Sequence, residues 1–109
     1  YGSAGYRSAT LSKVVAAATI LEVGYDLVLL DVDVALYRDP RPFLAERAAR
    51  LALDLQFQLN FPRKDLNTGV YYARSTPAAR RLMFMWATYN GTSDDQASLY
   101  ALIRHECSF

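Results

Sequence analysis

The chain has 109 residues, 52% hydrophobic, 13% aromatic and 21% charged, the profile of one globular domain or a piece of a larger one. That length allows a core but excludes a two-domain enzyme, and the same composition excludes disorder. Twelve Lys and Arg against eleven Asp and Glu leave a net charge of +1 with no run of like charge, which argues against nucleic-acid or polybasic membrane partners.

Residues 1–9 are small, polar and aromatic and read as a leading loop. From Thr10 to Val23 the sequence predicts a helix: Leu11, Val14, Val15, Ala18 and Leu21 approximate one apolar stripe, and Gly24 stands where a left-handed cap is wanted. Tyr25 to Tyr37 is dense in Val and Leu on both faces and predicts a central strand covered by helices on each side, interrupted by Asp31 and Asp33. Pro40 and Pro42 turn the chain into a short helix whose Glu46, Arg47 and Arg50 form a solvated face. DLQFQLN alternates as a half-exposed strand, residues 61–68 read as a loop, and GVYYARS as a further strand. Thr76 and Pro77 start a helix running to about Tyr89, stopped by Asn90 and Gly91. SDDQ opens the last helix, Ser93 and Gln96 having capping-box spacing and Asp94 and Asp95 suiting the positive end of the dipole. The order helix, strand, helix, strand, strand, helix, helix is α/β.

The one cysteine, Cys107, excludes an internal disulfide framework or a multi-cysteine zinc site. The start at Tyr1, with no leader and no stretch of membrane-spanning length, gives the chain the look of an excerpt.

Asp31 and Asp33 carry the clearest chemistry. Two apart at the downstream end of an apolar strand, they share a face if the strand continues, and ligands of open α/β sheets bind beyond such ends. Two close carboxylates repel unless a cation or proton sits between them, and oxygen-only ligation suits Mn²⁺ or Mg²⁺ bridging a diphosphate. The bland alternative is a strand that has reached solvent.

VLLDVDVALYRDP, LDLQFQ, LNTGVYYARST and DDQASLYAL, in that order and approximate spacing, resemble the nucleotide-diphospho-sugar transferases of glycosyltransferase family seventy-seven, from about Lys13 to Leu102. The resemblance implies a GT-A-like, Rossmann-like mixed sheet flanked by helices. It also implies that residues 1–109 are a single partial domain, without the upstream nucleotide-binding strand and the downstream segment bearing a metal-ligating histidine. His105 falls too early for that ligand and reads as a surface or helix-end residue.

Carried over by position, the DxD block falls on Asp31, Val32 and Asp33, which would bind the metal and the donor diphosphate. Lys13 is implied to touch the donor phosphates, against the alternative of a solvated helix lysine. Asn67, Thr68 and Gly69 match a block whose amide bonds sugar hydroxyls and whose glycine allows close backbone approach; these residues equally favour a turn. Asp95 and Gln96 match a block near the transferred sugar and acceptor, or else only serve the helix start. Asp54 and Gln58 match positions facing the donor sugar, or else are strand-edge polarity.

The implied activity is Mn²⁺-dependent, retaining transfer of a sugar from a nucleotide-diphosphate donor, with UDP the expected nucleotide, to a glycan or glycoprotein. The sugar would be a pentose such as arabinose or xylose, or galactose. The sequon Asn90-Gly91-Thr92 and the resemblance point to a Golgi-luminal parent anchored as a type II membrane protein. Two alternatives stay open. One is a haloacid-dehalogenase-like phosphatase with Asp31 as nucleophile and Asp33 as acid and base, disfavoured by Ala35 and by LNTG. The other is a catalytically incomplete fragment or interaction domain.

Overall fold

The computed structural model describes residues 4–63, 65–89 and 94–106. Its elements are α1 (Ala4–Val23), β1 (Leu27–Leu30), α2 (Arg41–Leu51), β2 (Leu55–Asn60), β3 (Asp65–Ala73), α3 (Pro77–Ala87) and α4 (Asp95–Glu106), in the expected order. The fold is α/β. All three strands pair antiparallel, in the order β1-β3-β2, so β3 rather than the Val- and Leu-rich segment is central.

Helix α1 starts at Ala4, earlier than the expected Thr10, because residues 4–9 contain no proline and a single glycine to oppose helix. It ends as the sequence predicts. Gly24 has φ +104°, its N–H bonds the Leu21 carbonyl at 3.0 Å, and the Tyr25 N–H reaches Ile20 at 3.3 Å, a Schellman cap. Thr76 Oγ1 likewise accepts the Ala79 N–H at 3.2 Å and starts α3, with Pro77 as its first residue.

The strand expected over residues 25–37 is four residues long. After Leu30 the Val34 N–H bonds the Asp31 carbonyl at 3.1 Å, closing a turn over Val32 and Asp33. Alternating Asp and Val imitates strand periodicity there, but the local hydrogen bond takes the chain out of the ladder. Strand β3 is correspondingly longer than predicted and absorbs the LNTG block. Phe57 opposes Tyr71 while the next residue, Gln58, opposes Asn67, so Thr68, Gly69 and Val70 have no ladder partner on β2. This bulge re-aims the strand where Asp31 arrives, the Asp31 N–H bonding the Gly69 carbonyl at 2.8 Å.

The core lies between one sheet face and helices α1, α3 and α4. Leu27 and Leu29 of β1, Tyr71 and Ala73 of β3 and Phe57 of β2 point there, against Val14, Leu21, Met83, Trp86 and Leu99. The rings of Phe57, Tyr71 and Trp86 have centroids 5.1 to 6.2 Å apart in tilted and edge arrangements. Helix α2 lies against the other face, where Gln56 Nε2 donates to the Leu44 carbonyl at 2.9 Å. Its Glu46, Arg47 and Arg50 are exposed, with an i,i+4 ion pair between Arg50 and Glu46 at 3.4 Å.

Candidate functional site

Helix α1, the end of β1, the bulged half of β3 and the start of α4 enclose an open cleft of about 960 Å³. Its centre is Lys13. The ammonium lies 2.8 Å from Asp95 Oδ2 and 3.0 Å from Asp31 Oδ1, and donates to the Thr68 carbonyl at 3.3 Å. Two of these oxygens, Asp31 Oδ1 and the Thr68 carbonyl, accept hydrogen bonds from the ammonium, and Asp95 holds it as an ion pair. Burial alone would depress its pKa; the hydrogen bonds and charges of Asp95 and Asp31 outweigh that and hold it above the ordinary lysine value. The two arms differ in setting, since the Asp95 side chain is 6% exposed and that of Asp31 40%. Asp95 Oδ2 is buried without a well-aligned hydrogen bond, so the nearby Lys13 charge is what neutralises it.

The sequence around each group explains its place. Asp95 is the first residue of α4, and Asp94 caps that helix: its Oδ1 accepts the Ala97 N–H at 2.7 Å. The indole N–H of Trp86 reaches the Asp95 carbonyl at 2.9 Å and Ser98 Oγ at 3.0 Å, and Ser98 Oγ also donates to the Asp95 carbonyl. On β3 the Asn67 side chain folds back, its Oδ1 accepting the Gly69 N–H at 2.6 Å while Nδ2 donates to Asn60 Oδ1 at 2.8 Å. Both ends of the amide are thereby fixed. A Cβ on Gly69 would lie 2.6 Å from Asp31 Oδ2 and 2.9 Å from Asn67 Oδ1, so only glycine fits beside the carboxylate.

A model of the nucleotide-diphospho-sugar transferase family matches residues 1–108. The chain belongs to that family. Among curated proteins it is similar to the beta-arabinofuranosyltransferase RAY1 of Arabidopsis thaliana, 34% identical over 92% of this chain, and it spans a fifth of that relative's length (20%). No solved structure matches it. The match to nucleotide-diphospho-sugar transferases, together with a sheet that is antiparallel throughout, leaves the phosphatase alternative without support.

In this member of the family the cleft gathers Lys13, Asp31, Val32, Asn67, Thr68, Gly69, Asp95 and Gln96 from segments far apart in sequence. Asp33 does not line it: the turn leaves Asp33 exposed, and the two carboxylates do not share a strand face. Lys13 is not the solvated helix lysine of the alternative reading. The Ser93–Gln96 capping box turns on Ser93, which lies outside the described residues, as do the sequon at residues 90–92 and Cys107. Asp54 is away from the cleft, its Oδ1 accepting the Thr76 hydroxyl at 2.8 Å, and Gln58 is exposed on β2. His105 lies near the C-terminal end of α4. Sequence reasoning missed Arg63, Asp65 and Tyr100, which also line the cleft. Tyr100 Oη accepts the Leu66 N–H and ties α4 to β3, a contact across 34 residues that no local pattern announces.

Proposed function

We propose that this cleft binds the donor of a glycosyltransferase that moves a sugar from a UDP-sugar to a glycan or glycoprotein. Arabinofuranose is the first choice of sugar on the strength of the Arabidopsis relative, with xylose and galactose as the other candidates. The observation that carries the reading is the Lys13 bridge, which joins the DxD turn to the DQ helix directly over the LNTG strand.

Within this reading Asp31, lining the cleft, and Asp33, exposed on the adjoining turn, would hold Mn²⁺ or Mg²⁺. Their hard carboxylate oxygens suit those ions, and Asp31 is partly open to the cleft. No group of three or more acidic, histidine or cysteine side chains that could hold a metal is found among the described residues, so Asp31 and Asp33 would be the ligands this chain supplies. A divalent ion supplies charge neutralisation on the departing nucleoside diphosphate. The chain's own residues do the rest. The fixed Asn67 amide and the Asp95 carboxylate orient sugar and acceptor hydroxyls, the Lys13 ammonium adds positive charge beside the diphosphate, and Gly69 lets the ligand approach the backbone.

The proposal extends to retention of anomeric configuration, by a front-face route assisted by the leaving phosphate, and to residence in the Golgi lumen as part of a type II membrane protein. Asp33→Asn in the full-length protein tests the core of it. Mn²⁺-dependent transfer from UDP-sugars should fall at least about 100-fold with the melting temperature preserved, because Asp33 is exposed. Unchanged turnover would remove the metal assignment.

A further inference from the structure

We propose that Lys13 is the built-in counter-cation of the donor site: it clamps Asp31 and Asp95 together in the free protein, and yields Asp31 when a divalent cation binds there. The inference rests on the donor-site reading above and concerns how that site is regulated. The ammonium already occupies an oxygen-lined cation position, with Asp95 Oδ2, Asp31 Oδ1 and the Thr68 carbonyl as its ligands at 2.8, 3.0 and 3.3 Å. An ammonium and a divalent ion on one carboxylate repel each other, so both cannot hold Asp31 at these distances.

Exposure decides which arm gives way. The Asp95 side chain is 6% exposed and would be left as an unneutralised buried charge if Lys13 departed, a costly outcome. Asp31 is 40% exposed, and solvent-screened pairs of that kind contribute little. Lys13 therefore stays anchored at Asp95 and the Thr68 carbonyl while its hold on Asp31 is lost, freeing the donor that held Asp31 for the diphosphate. Metal and nucleotide binding become coupled. The metal alone competes with Lys13, whereas metal with nucleotide gives Lys13 a new anionic partner, so each ligand strengthens the other.

Titration of the full-length protein with Mn²⁺ alone, and with Mn²⁺ plus UDP, tests this by calorimetry or by Mn²⁺ electron spin resonance, without any turnover. Lys13→Met should bind Mn²⁺ alone about tenfold tighter than wild type, and UDP should improve Mn²⁺ affinity less in the variant than in wild type. Equal or weaker Mn²⁺ binding by Lys13→Met would overturn the proposal. Lys13→Gln carries the same comparison if the apolar variant does not fold, since its amide still donates to Asp95. Asp31→Asn separates the two readings: Mn²⁺ binding that persists in Asp31→Asn overturns the metal site itself, whereas loss there with no gain in Lys13→Met overturns only the counter-cation role.

Discussion

Gly69 is where a single methyl group would do most to the site. Asp31 cannot simply swing away from an added Cβ, because its other oxygen is held by Lys13, and the Asn67 amide is pinned from both sides. Both crowded atoms nonetheless belong to side chains rather than to backbone, so the strain is relieved by displacing the Asp31 carboxylate from its place in the cleft, not by unfolding the strand. Gly69→Ala should therefore reduce UDP-sugar turnover at least about tenfold, while the melting temperature moves by only about 4 °C or less. Parallel turnover and melting measurements check it; a large stability loss with normal turnover of the folded fraction would show that the backbone, not the carboxylate, gives way.

At the level of elements, α3 holds the start of α4 through one indole. Trp86 is fully buried, and its N–H is shared between the Asp95 carbonyl and Ser98 Oγ, so the first turn of α4, and with it the carboxylate facing Lys13, is positioned by the core. Trp86→Phe keeps an aromatic ring but removes that N–H and leaves a gap, costing roughly 1–3 kcal/mol of stability. If positioning matters, turnover per folded molecule should fall about tenfold with UDP affinity within about twofold of wild type, since the proposed function sets Asp95 toward sugar and acceptor rather than the nucleotide. Ser98→Ala, which leaves the indole bonded to the Asp95 carbonyl, should have a smaller effect; equal effects on turnover and UDP binding would refute the positioning role.

These same elements show what a sequence can and cannot convey. The Schellman cap at Gly24 and the start at Thr76 and Pro77 are set by residues next to one another, and both were legible. The end of β1 was not, because Asp-Val-Asp-Val keeps strand periodicity while a local hydrogen bond folds it into a turn. The bulge that draws LNTG into β3 depends on which β2 residues lie opposite, and the bond between Lys13 and Asp95 joins residues brought together only by the packing of α1 and α4. The motifs thus named part of the cleft's lining but not Arg63, Asp65 or Tyr100, and the roles of these residues as partners of one another came from tertiary structure.

Across the whole molecule, the buried titratable groups set how the fold meets alkali. The Tyr71 phenol is 1% exposed, and burial, reinforced by the Asp95 and Asp31 charges, pushes its pKa up from 10.0; its hydroxyl has no hydrogen-bond partner among the described residues. Tyr72 is raised by burial and by Asp26, and Lys13 is held above 10.5 by Asp95 and Asp31 against its own desolvation. Each of these groups keeps its proton in the folded state at a pH where the unfolded chain has released it. Their contribution is fully present below the unfolded values and is lost as pH rises through the folded ones, so stability falls with increasing pH from about pH 10 upward. Denaturant unfolding between about pH 8 and about pH 11 measures that slope, and Tyr71→Phe dissects it. The variant keeps the ring contacts with Phe57 and Trp86 and removes a buried hydroxyl that makes no bond, so near neutral pH it should be as stable as wild type or more so by up to about 1 kcal/mol. Above about pH 10 its slope should be shallower by Tyr71's share, with the Lys13 and Tyr72 share remaining. A slope unchanged in Tyr71→Phe would mean that the phenol titrates alike in both states, which would contradict its burial under the two carboxylates.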